Sequence, residues 1–375
     1  MFIPKGFLFA GRHAGIKKSG KFDLGLVCGE NDLAAACFFT ANSFKAAPLI
    51  VSLRKLKAAK SRIRAILANS GNANCFTGKP GIKAALDECA ALADGLGLDP
   101  DLVHASSTGI IKKPLPVDKI IAALPFLAEA LSSDGLDDFN QAIMTTDTFA
   151  KIESIRVKLN GKAVTICGVA KGAGMIWPQV KQATMLAYIF TDADIAPALL
   201  KKLSAPLIEQ SFNSVTVDGC TSTNDSVFLL ASGKSGVKIN GKGASGRVFR
   251  RALGKICLGL AKKIARDGEG ATKLIEVLVK GAKNLNQAKA AGLAIANSFL
   301  FKTAVHGANK NIGRIAQALG QEQIIDSDDD IAIWCGDLTK KDVKFVVDLK
   351  KGKASWTVYT CDISENYVKI NAEYN

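Results

Sequence analysis

The chain has 375 residues, 48% of them apolar and 34 of them glycine, so it is long enough for one large or two ordinary domains and too apolar to stay disordered. Lysine and arginine outnumber aspartate and glutamate by 49 to 34, and this excess is compatible with nucleic acid or small anions as partners. No apolar run is long enough to cross a bilayer, and we expect a cytoplasmic protein.

Short β-like runs alternate with helix-like runs in the first half of the chain, which favours layers of sheet and helix. Strands are predicted for residues 1–10, 49–53, 63–68, 102–107, 155–159, 163–169 and 185–190. Helices are predicted for residues 80–97, 117–131 and 195–212. Asn160-Gly161 separates two of the strands, and this dipeptide is typical of a two-residue hairpin turn.

The second half begins with an amphipathic helix at 247–266, in which apolar residues keep helical spacing opposite arginines and lysines. We interpret its basic side as a solvated face, because no nucleic-acid-binding motif accompanies it. A strand is predicted at 274–279 and a helix at 286–295. The segments 331–334, 343–349 and 354–359 are predicted to form a small antiparallel set, with a turn at 350–352.

The cysteine and histidine pattern argues against disulfides and metal. The nine cysteines are scattered without a Cys-x-x-Cys pair, and the chain has three histidines. We therefore predict buried, reduced thiols and no metal site. No Gly-x-Gly-x-x-Gly follows a predicted strand, so a dinucleotide site is not expected either.

The most informative segment is the glycine-rich stretch Lys171-Gly-Ala-Gly174, followed by Pro178 and then Ala183-Thr184 before an apolar run. An internal threonine is a weak nucleophile because no base adjoins its hydroxyl. Cleavage between Ala183 and Thr184 would give Thr184 a free α-amine, with a pKa near ~8, that can accept the hydroxyl proton. On the motif alone, a loop that enters a buried strand is the more common interpretation.

Further motifs occur in a fixed order along nearly the whole chain. They are Gly15-Ile-Lys17, Phe39-Thr-Ala-Asn42, Asn69-Ser-Gly-Asn-Ala-Asn74, Ser106-Ser-Thr-Gly109, Ile143-Met-Thr-Thr-Asp-Thr148, Thr221-Ser-Thr-Asn-Asp225, Arg266-Asp-Gly-Glu-Gly270 and Lys302-Thr-Ala304. With these motifs the chain resembles the glutamate N-acetyltransferase / ornithine acetyltransferase family of arginine biosynthesis, whose precursors cleave themselves before a threonine in an Ala-Thr-Met-Leu motif.

The resemblance implies an α/β fold, an αββα sandwich of the N-terminal-nucleophile type with a smaller α+β part at about 270–375. Self-cleavage would give an N-terminal chain, 1–183, and a C-terminal chain, 184–375. The family analogy further implies that the two chains stay together and assemble into a heterotetramer of two copies of each. No nucleic-acid or membrane partner is implied.

The implied activity is ping-pong acetyl transfer. Freed Thr184 would attack the acetyl group of N-acetylornithine, release ornithine, hold the acetyl group as an ester and pass it to glutamate. No cofactor is implied for that step, while use of acetyl-CoA as a second donor stays open.

The resemblance also assigns roles to individual residues. Thr108 and Gly109 would donate hydrogen bonds to the oxyanion, and losing one such donor typically costs ~10²–10³ in rate. The residues implied in substrate binding are Thr145, Lys171, Thr184, Glu269 and Asn371. Lys171 would pair with a carboxylate and Glu269 with the amine of ornithine, while Thr146 fits the motif as well as Thr145.

Two alternatives to this function remain. One is an aminopeptidase or amidase of the same superfamily, in which water accepts the acyl group. The other is a basic anion-binding or nucleic-acid-binding protein without catalysis, for which steeply salt-dependent DNA retention would be the evidence.

Overall fold

The computed structural model describes residues 1–177 and 185–373. The strands in these ranges are β1 (Phe7–Arg12), β2 (Leu24–Phe39), β3 (Arg62–Asn72), β4 (Val103–Ile110), β5 (Lys151–Leu159), β6 (Lys162–Lys171), β7 (Leu186–Thr191), β8 (Ser226–Ala231), β9 (Leu274–Ala282), β10 (Ala332–Cys335), β11 (Asp342–Asp348) and β12 (Ala354–Cys361). The helices are α1 (Ala47–Ala58), α2 (Gly78–Leu96), α3 (Val117–Glu129), α4 (Leu136–Ile143), α5 (Pro197–Glu209), α6 (Gly243–Arg266), α7 (Leu285–Asn297), α8 (Phe299–His306), α9 (Gly313–Gln321) and α10 (Glu365–Glu373).

Strand β2 is 16 residues long and connects two layers of sheet. Its first half pairs with β1 and β3, and its second half pairs with β8, with a register shift between Cys28 and Leu33. The strands follow the order β4-β3-β2-β8-β7-β6-β5, and the sheet bends back on itself at β2. As a result, Phe9 of β1 lies against Phe190 of β7, with ring centroids 5.0 Å apart. A shift of register that bends the long strand thus places two sheets face to face.

Helices cover the outer face of each sheet. Apolar residues of α2 and α3 pack on β2, β3 and β4, and those of α5 and α6 pack on β2, β6, β7 and β8. Between the sheets lies an aromatic and aliphatic core that includes Phe7, Phe139 and Tyr188. The αββα sandwich predicted from the resemblance is therefore confirmed.

A smaller sheet, in the order β10-β11-β9-β12, follows the sandwich and packs against α7. The prediction that residues 343–349 and 354–359 form an antiparallel pair, joined by a turn at 350–352, is wrong. Strand β9 lies between β11 and β12, parallel to the first and antiparallel to the second. The backbone amides of Leu349 and Lys351 donate to the carbonyls of Lys280 and Gly281, so the chain leaving β11 crosses the end of β9.

The strand predicted at 49–53 is also wrong, because these residues lie inside helix α1. Pro48 occupies its first turn, where a proline is compatible with a helix, and Leu49 and Val51 are buried. The predicted hairpin between β5 and β6 is confirmed, with positive φ angles of 49° at Asn160 and 81° at Gly161. Helix α2 ends as predicted at Gly97, which has a φ of 61°.

The cysteines are free thiols, and seven of the nine are buried. Within the residues that the structure describes, no group of three or more His, Cys, Asp or Glu could hold a metal ion. Across residues 1–177 and 185–373, no helix combines the length and apolar character that crossing a bilayer requires.

Candidate active site

A pocket in the sandwich is lined by residues from several separate segments of the chain. Its lining includes the described residues to which the resemblance assigned a role, namely Thr108, Gly109, Thr145, Lys171, Glu269 and Asn371. Ala183 and Thr184 lie outside the described residues. Met185, the residue after Thr184, is part of the lining and is buried.

Lys171, the last residue of β6, joins two sides of the pocket. Its ammonium group donates hydrogen bonds to the hydroxyls of Thr108, at 3.1 Å, and Thr145, at 2.6 Å. The residue is only 7% exposed. Burial lowers the pKa of Lys171, whereas the nearby carboxylate of Asp147 raises it. The lysine is thus a buried side chain with fixed hydrogen-bond partners in the site and not a solvated surface side chain.

Thr108 and Gly109 lie where the parallel pairing of β3 and β4 becomes irregular. Gly109 has a φ of 133°, and a Cβ atom there would come within 2.4 Å of the carbonyl carbon of Gly71. A glycine is therefore required for the two strand ends to approach this closely. Asn224 ties the same ends together, because its side-chain amide donates to the carbonyls of Ala73, at 2.6 Å, and Ser107, at 2.8 Å.

Glu269 follows α6 and faces the glycine-rich segment. Its backbone amide donates to the carbonyl of Ala173 at 2.9 Å, and its Oε2 accepts a hydrogen bond from Asn371 at 2.8 Å. A Cβ atom on Gly174 would lie 2.2 Å from the same Oε2. Gly174 therefore leaves space for the carboxylate of Glu269, which a side chain at this position would displace.

Behind the pocket wall lies a line of buried charges that begins at Asp147. Its side chain is fully buried and accepts hydrogen bonds from Lys151, at 2.6 Å, and from the amide of Gly172, at 2.7 Å. Lys151 also donates to Asp267. Burial opposes ionisation of Asp147, but Lys171 and Lys151 outweigh it and lower its pKa to about 2.

Asp225 is the least compensated carboxyl of the pocket. It is 1% exposed, and among the described residues its Oδ2 has no hydrogen-bond partner. Burial raises the pKa of Asp225 well above its usual value, although Lys171 acts in the opposite direction. A buried oxygen without a partner is costly in a folded protein, so its position in a pocket lining suits contact with a ligand.

Comparison with known proteins identifies the family. The ArgJ family model matches residues 8–375. The arginine biosynthesis bifunctional proteins ArgJ of Symbiobacterium thermophilum and Geobacter sulfurreducens are each 41% identical, over 99% of this chain and 97% and 99% of their own lengths. This chain belongs to the ArgJ family.

Among solved structures, an ornithine acetyltransferase of Mycobacterium tuberculosis in complex with ornithine is similar to this ArgJ-family chain. The two are 36% identical, the match covers 47% of this chain and 93% of that one, and the TM-score is 0.43.

Sequence analysis did not assign roles to several residues of this ArgJ-family pocket. Asp147 and Asp225 stand inside motifs that were recognised, but no charge pattern distinguished them from surface carboxylates. Lys151 follows Asp147 by four residues, and this Asp-x-x-x-Lys spacing is a weak signal that could have suggested the pair. Its contact with Asp267, 116 residues away, leaves no trace in local sequence.

Proposed function

We propose that this ArgJ-family chain transfers an acetyl group from N-acetylornithine to glutamate, with Thr184 as the nucleophile. The observation that carries the proposal is the convergence, in one pocket, of Thr108-Gly109, Lys171 and Glu269 with the residue that directly follows Thr184. An acyl transferase of this kind requires oxyanion donors, a cation for a carboxylate and an acceptor for an amine beside the nucleophile.

The first reaction is self-cleavage between Ala183 and Thr184. The threonine hydroxyl attacks the carbonyl of Ala183, the peptide C–N bond breaks, and the acyl group moves from nitrogen to oxygen. Water then hydrolyses this ester, giving a carboxylate on Ala183 and a free α-amine on Thr184. The chain 184–375 is thereby supplied with its own base for the transfer reaction.

The second reaction transfers the acetyl group. The hydroxyl of Thr184 attacks the acetyl carbonyl of N-acetylornithine and gives its proton to the α-amine, which passes it to the departing nitrogen of ornithine. The α-amine of glutamate then attacks the acetyl ester and regenerates the hydroxyl. Thr108 is suited to stabilise both oxyanions, because its oxygen accepts from Lys171 and its hydroxyl proton is left to donate.

Substrate recognition follows from the fixed charges. Lys171 is the partner for the substrate carboxylate, and Glu269, held by Asn371, is the partner for the side-chain amine of ornithine. Thr145 contributes through its hydroxyl, which accepts from Lys171 at 2.6 Å. This contact favours Thr145 over Thr146 as the substrate-binding threonine, although both line the pocket.

The remaining features of the proposal concern the whole enzyme. We propose that the chains 1–183 and 184–375 remain associated as a heterotetramer of two copies of each in the cytoplasm. The transfer from N-acetylornithine to glutamate needs no cofactor. Acetyl-CoA should be tested as a second acetyl donor. Nucleic acid and membranes are not proposed as partners.

The test combines protein chemistry with an assay. The wild-type protein should give two bands of similar size on a denaturing gel, and the fragment 184–375 should begin with Thr-Met-Leu-Ala. Beyond the first equivalent per active site, which acetylates Thr184, the wild-type protein should release ornithine from N-acetylornithine only when glutamate is present. Thr184→Val should remain uncleaved and inactive, whereas Thr303→Val, at an exposed position in α8, should behave as wild type.

Three outcomes decide between the functions. Full acetyl exchange by Thr184→Val would eliminate the proposed nucleophile. Continuous ornithine release without glutamate, beyond one equivalent per active site, would indicate an amidase. Salt-dependent DNA retention by a wild-type protein without transferase activity would support the binding-protein alternative.

The choice between the two threonines can be tested with matched variants. Thr145→Val removes a hydroxyl that accepts from Lys171 and should raise the KM for N-acetylornithine by about tenfold, as expected for one charge-assisted hydrogen bond. Thr146→Val removes the neighbouring hydroxyl and should change KM much less. The reverse order would assign substrate binding to Thr146.

A further inference from the structure

We propose that Asp147 is a positioning residue for acetyl transfer, which holds the ammonium group of Lys171 and the two backbone segments around it in place. This inference rests on the proposed function and extends it to a residue that contacts the pocket residues Thr145 and Lys171 but does not line the pocket. The pair Lys151 and Asp267 holds Asp147 in turn.

The hydrogen bonds of Asp147 connect two separate walls of the pocket. Oδ2 accepts from the backbone amide of Thr145 at 2.9 Å and lies 4.0 Å from the ammonium nitrogen of Lys171. Oδ1 accepts from the backbone amide of Gly172 at 2.7 Å. One carboxylate therefore fixes the segment after α4, which carries Thr145, to the end of β6, which carries Lys171.

Asp147 is itself fixed from behind by Lys151, whose side chain is fully buried. Lys151 lies between Asp147, at 2.6 Å, and Asp267, which also accepts from the backbone amide of Thr148 at 3.0 Å. Four charges of alternating sign thus run from Lys171 to Asp267, which is two residues before Glu269. Buried charges persist only when each has partners, so this line resists displacement of any one member.

Several charged groups act on Lys171. Asp147 acts most strongly in favour of its charged form, and the carboxylates of Glu269 and Asp225 add to this effect. Burial is the largest effect in the opposite direction, and the positive charge of Lys151 adds to it. Lys17, which donates to the carbonyls of Phe22 and Met144, repels Lys171 as well.

Removing the charge of Asp147 should therefore lower the pKa of Lys171. The sign is fixed, because the ammonium form loses its strongest attractive partner while burial, Lys151 and Lys17 remain. Lys171 would then lose its proton at lower pH, and an uncharged amine binds a carboxylate poorly. The alkaline limb of the pH profile should move towards lower pH.

The first experiment is the pH dependence of kcat/KM for N-acetylornithine in wild type and Asp147→Asn. We expect the alkaline limb to move by about one pH unit or more, as is typical when an ion partner is removed. Above this limb the KM should rise more than kcat falls. Asp147→Glu, which keeps the charge, should restore the position of the limb even if its activity is lower.

The matched control is Asp192→Asn. Asp192 is also a buried aspartate that accepts from a backbone amide, that of Thr165 at 2.9 Å, but it lies outside the pocket lining. Loss of a buried hydrogen-bonded carboxylate should lower the stability of both variants. Only Asp147→Asn should move the pH limb.

A second variant covers the case in which Asp147→Asn does not fold. Asp267→Asn removes the far carboxylate of the line and should move the alkaline limb in the same direction by a smaller amount, because the charge of Lys151 is then less compensated. An unmoved limb in a folded, self-cleaved variant of either kind would overturn the inference.

A direct titration separates this inference from the proposed function. Labelling of Lys171 with acetic anhydride as a function of pH, quantified by mass spectrometry, reports the protonation of the amine without any turnover. Wild-type protein that lacks acetyl transfer would refute the proposed function. Equal labelling profiles for wild type and Asp147→Asn would refute the role of Asp147.

Discussion

Asp147 and Glu88 are both buried carboxyl groups with a lysine nearby, yet their pKa values lie on opposite sides of neutrality. Burial is the largest influence on each. At Asp147 the two lysines and the amide of Gly172 outweigh it, and the pKa falls to about 2. At Glu88, in α2, burial prevails over the attraction of Lys55, and the pKa rises to about 8.

The difference lies in the partners that each region supplies. The ammonium group of Lys55 donates to the carbonyls of Pro100, at 2.7 Å, and Val103, at 2.9 Å, and forms no ion pair with Glu88 among the described residues. Oε1 of Glu88 has no partner in the described part of the chain. His104 of β4 is equally isolated, and burial lowers its pKa to about 3.

The helix layer around Glu88 thus shows what burial does alone, which is to keep an acid and a base uncharged near neutral pH. The pocket shows what opposite charges at close distance add. An ionised carboxylate persists there because two lysines lie within 4.0 Å of it. The contrast indicates that Asp147 is ionised because lysines lie close to it, since burial alone would keep a carboxyl group uncharged.

The largest loss of stability should come from Lys151→Met, which removes the cation between Asp147 and Asp267. Asp147 and Asp267 would lose their shared cation in a buried site, and removing one partner of a buried ion pair destabilises a protein by about 3–5 kcal/mol. Urea unfolding near neutral pH would measure the loss.

The control is Lys83→Met. Lys83 pairs with Asp87 at 2.6 Å on the exposed face of α2, and such a pair contributes at most about 0.5 kcal/mol. Equal losses of unfolding free energy in the two variants would mean that the buried line of charges contributes no more than a solvated pair.

The sequence predicted the contents of the pocket but not its supporting charges. Thr108, Gly109 and Lys171 stand in short motifs, where the residue type and its neighbours carry the information. Lys151 and Asp267 are brought together by folding across more than a hundred residues, and a charged residue looks the same in sequence whether it is solvated or buried.

The errors in the fold have a similar origin. Four of the five residues 49–53 are apolar and resemble a strand, but an apolar run of this length is equally compatible with a buried helix. Here a helix begins, with a proline in its first turn. Strands β11 and β12 are neighbours in sequence, yet β9 separates them because pairing is decided by which strands bury their apolar faces together. Hairpins with a specific turn, such as Asn160-Gly161, are predictable because the signal is local.

A smaller effect is expected from Glu88→Gln, which tests the other side of the comparison. The folded-state pKa of Glu88 is raised, so its contribution is fully present below about pH 4.5 and is lost as the pH rises through about 8. Between these values the free energy of unfolding of the wild type should fall, relative to the variant, by a few kcal/mol. Urea unfolding at both ends of the range measures this difference.

Glu322→Gln serves as the control, because the same substitution is then made at an exposed position after α9. If Glu88→Gln and wild type showed the same dependence on pH, Glu88 would have to be ionised in the folded protein. The contrast with Asp147 would then disappear.

The smallest effect near neutral pH is expected from His104→Leu. The ring is buried and its nitrogens have no partner among the described residues, so an apolar side chain of similar size should change stability by about 1 kcal/mol or less. The dependence on pH is more informative. Because the folded-state pKa is lowered from 6.5 to about 3, the wild type should lose stability as the pH falls below 6.5, and the variant should not.

At about pH 5 the variant should therefore gain roughly 2 kcal/mol over the wild type, which corresponds to about one and a half pH units of suppressed protonation. His13→Leu, at an exposed position of the first loop, should show no such gain. A large loss of stability in His104→Leu near neutral pH would reveal a polar contact of the ring. In that case the polar groups of the helix layer, like those of the pocket, would have specific partners. Burial alone would then not explain the protonation states in either region.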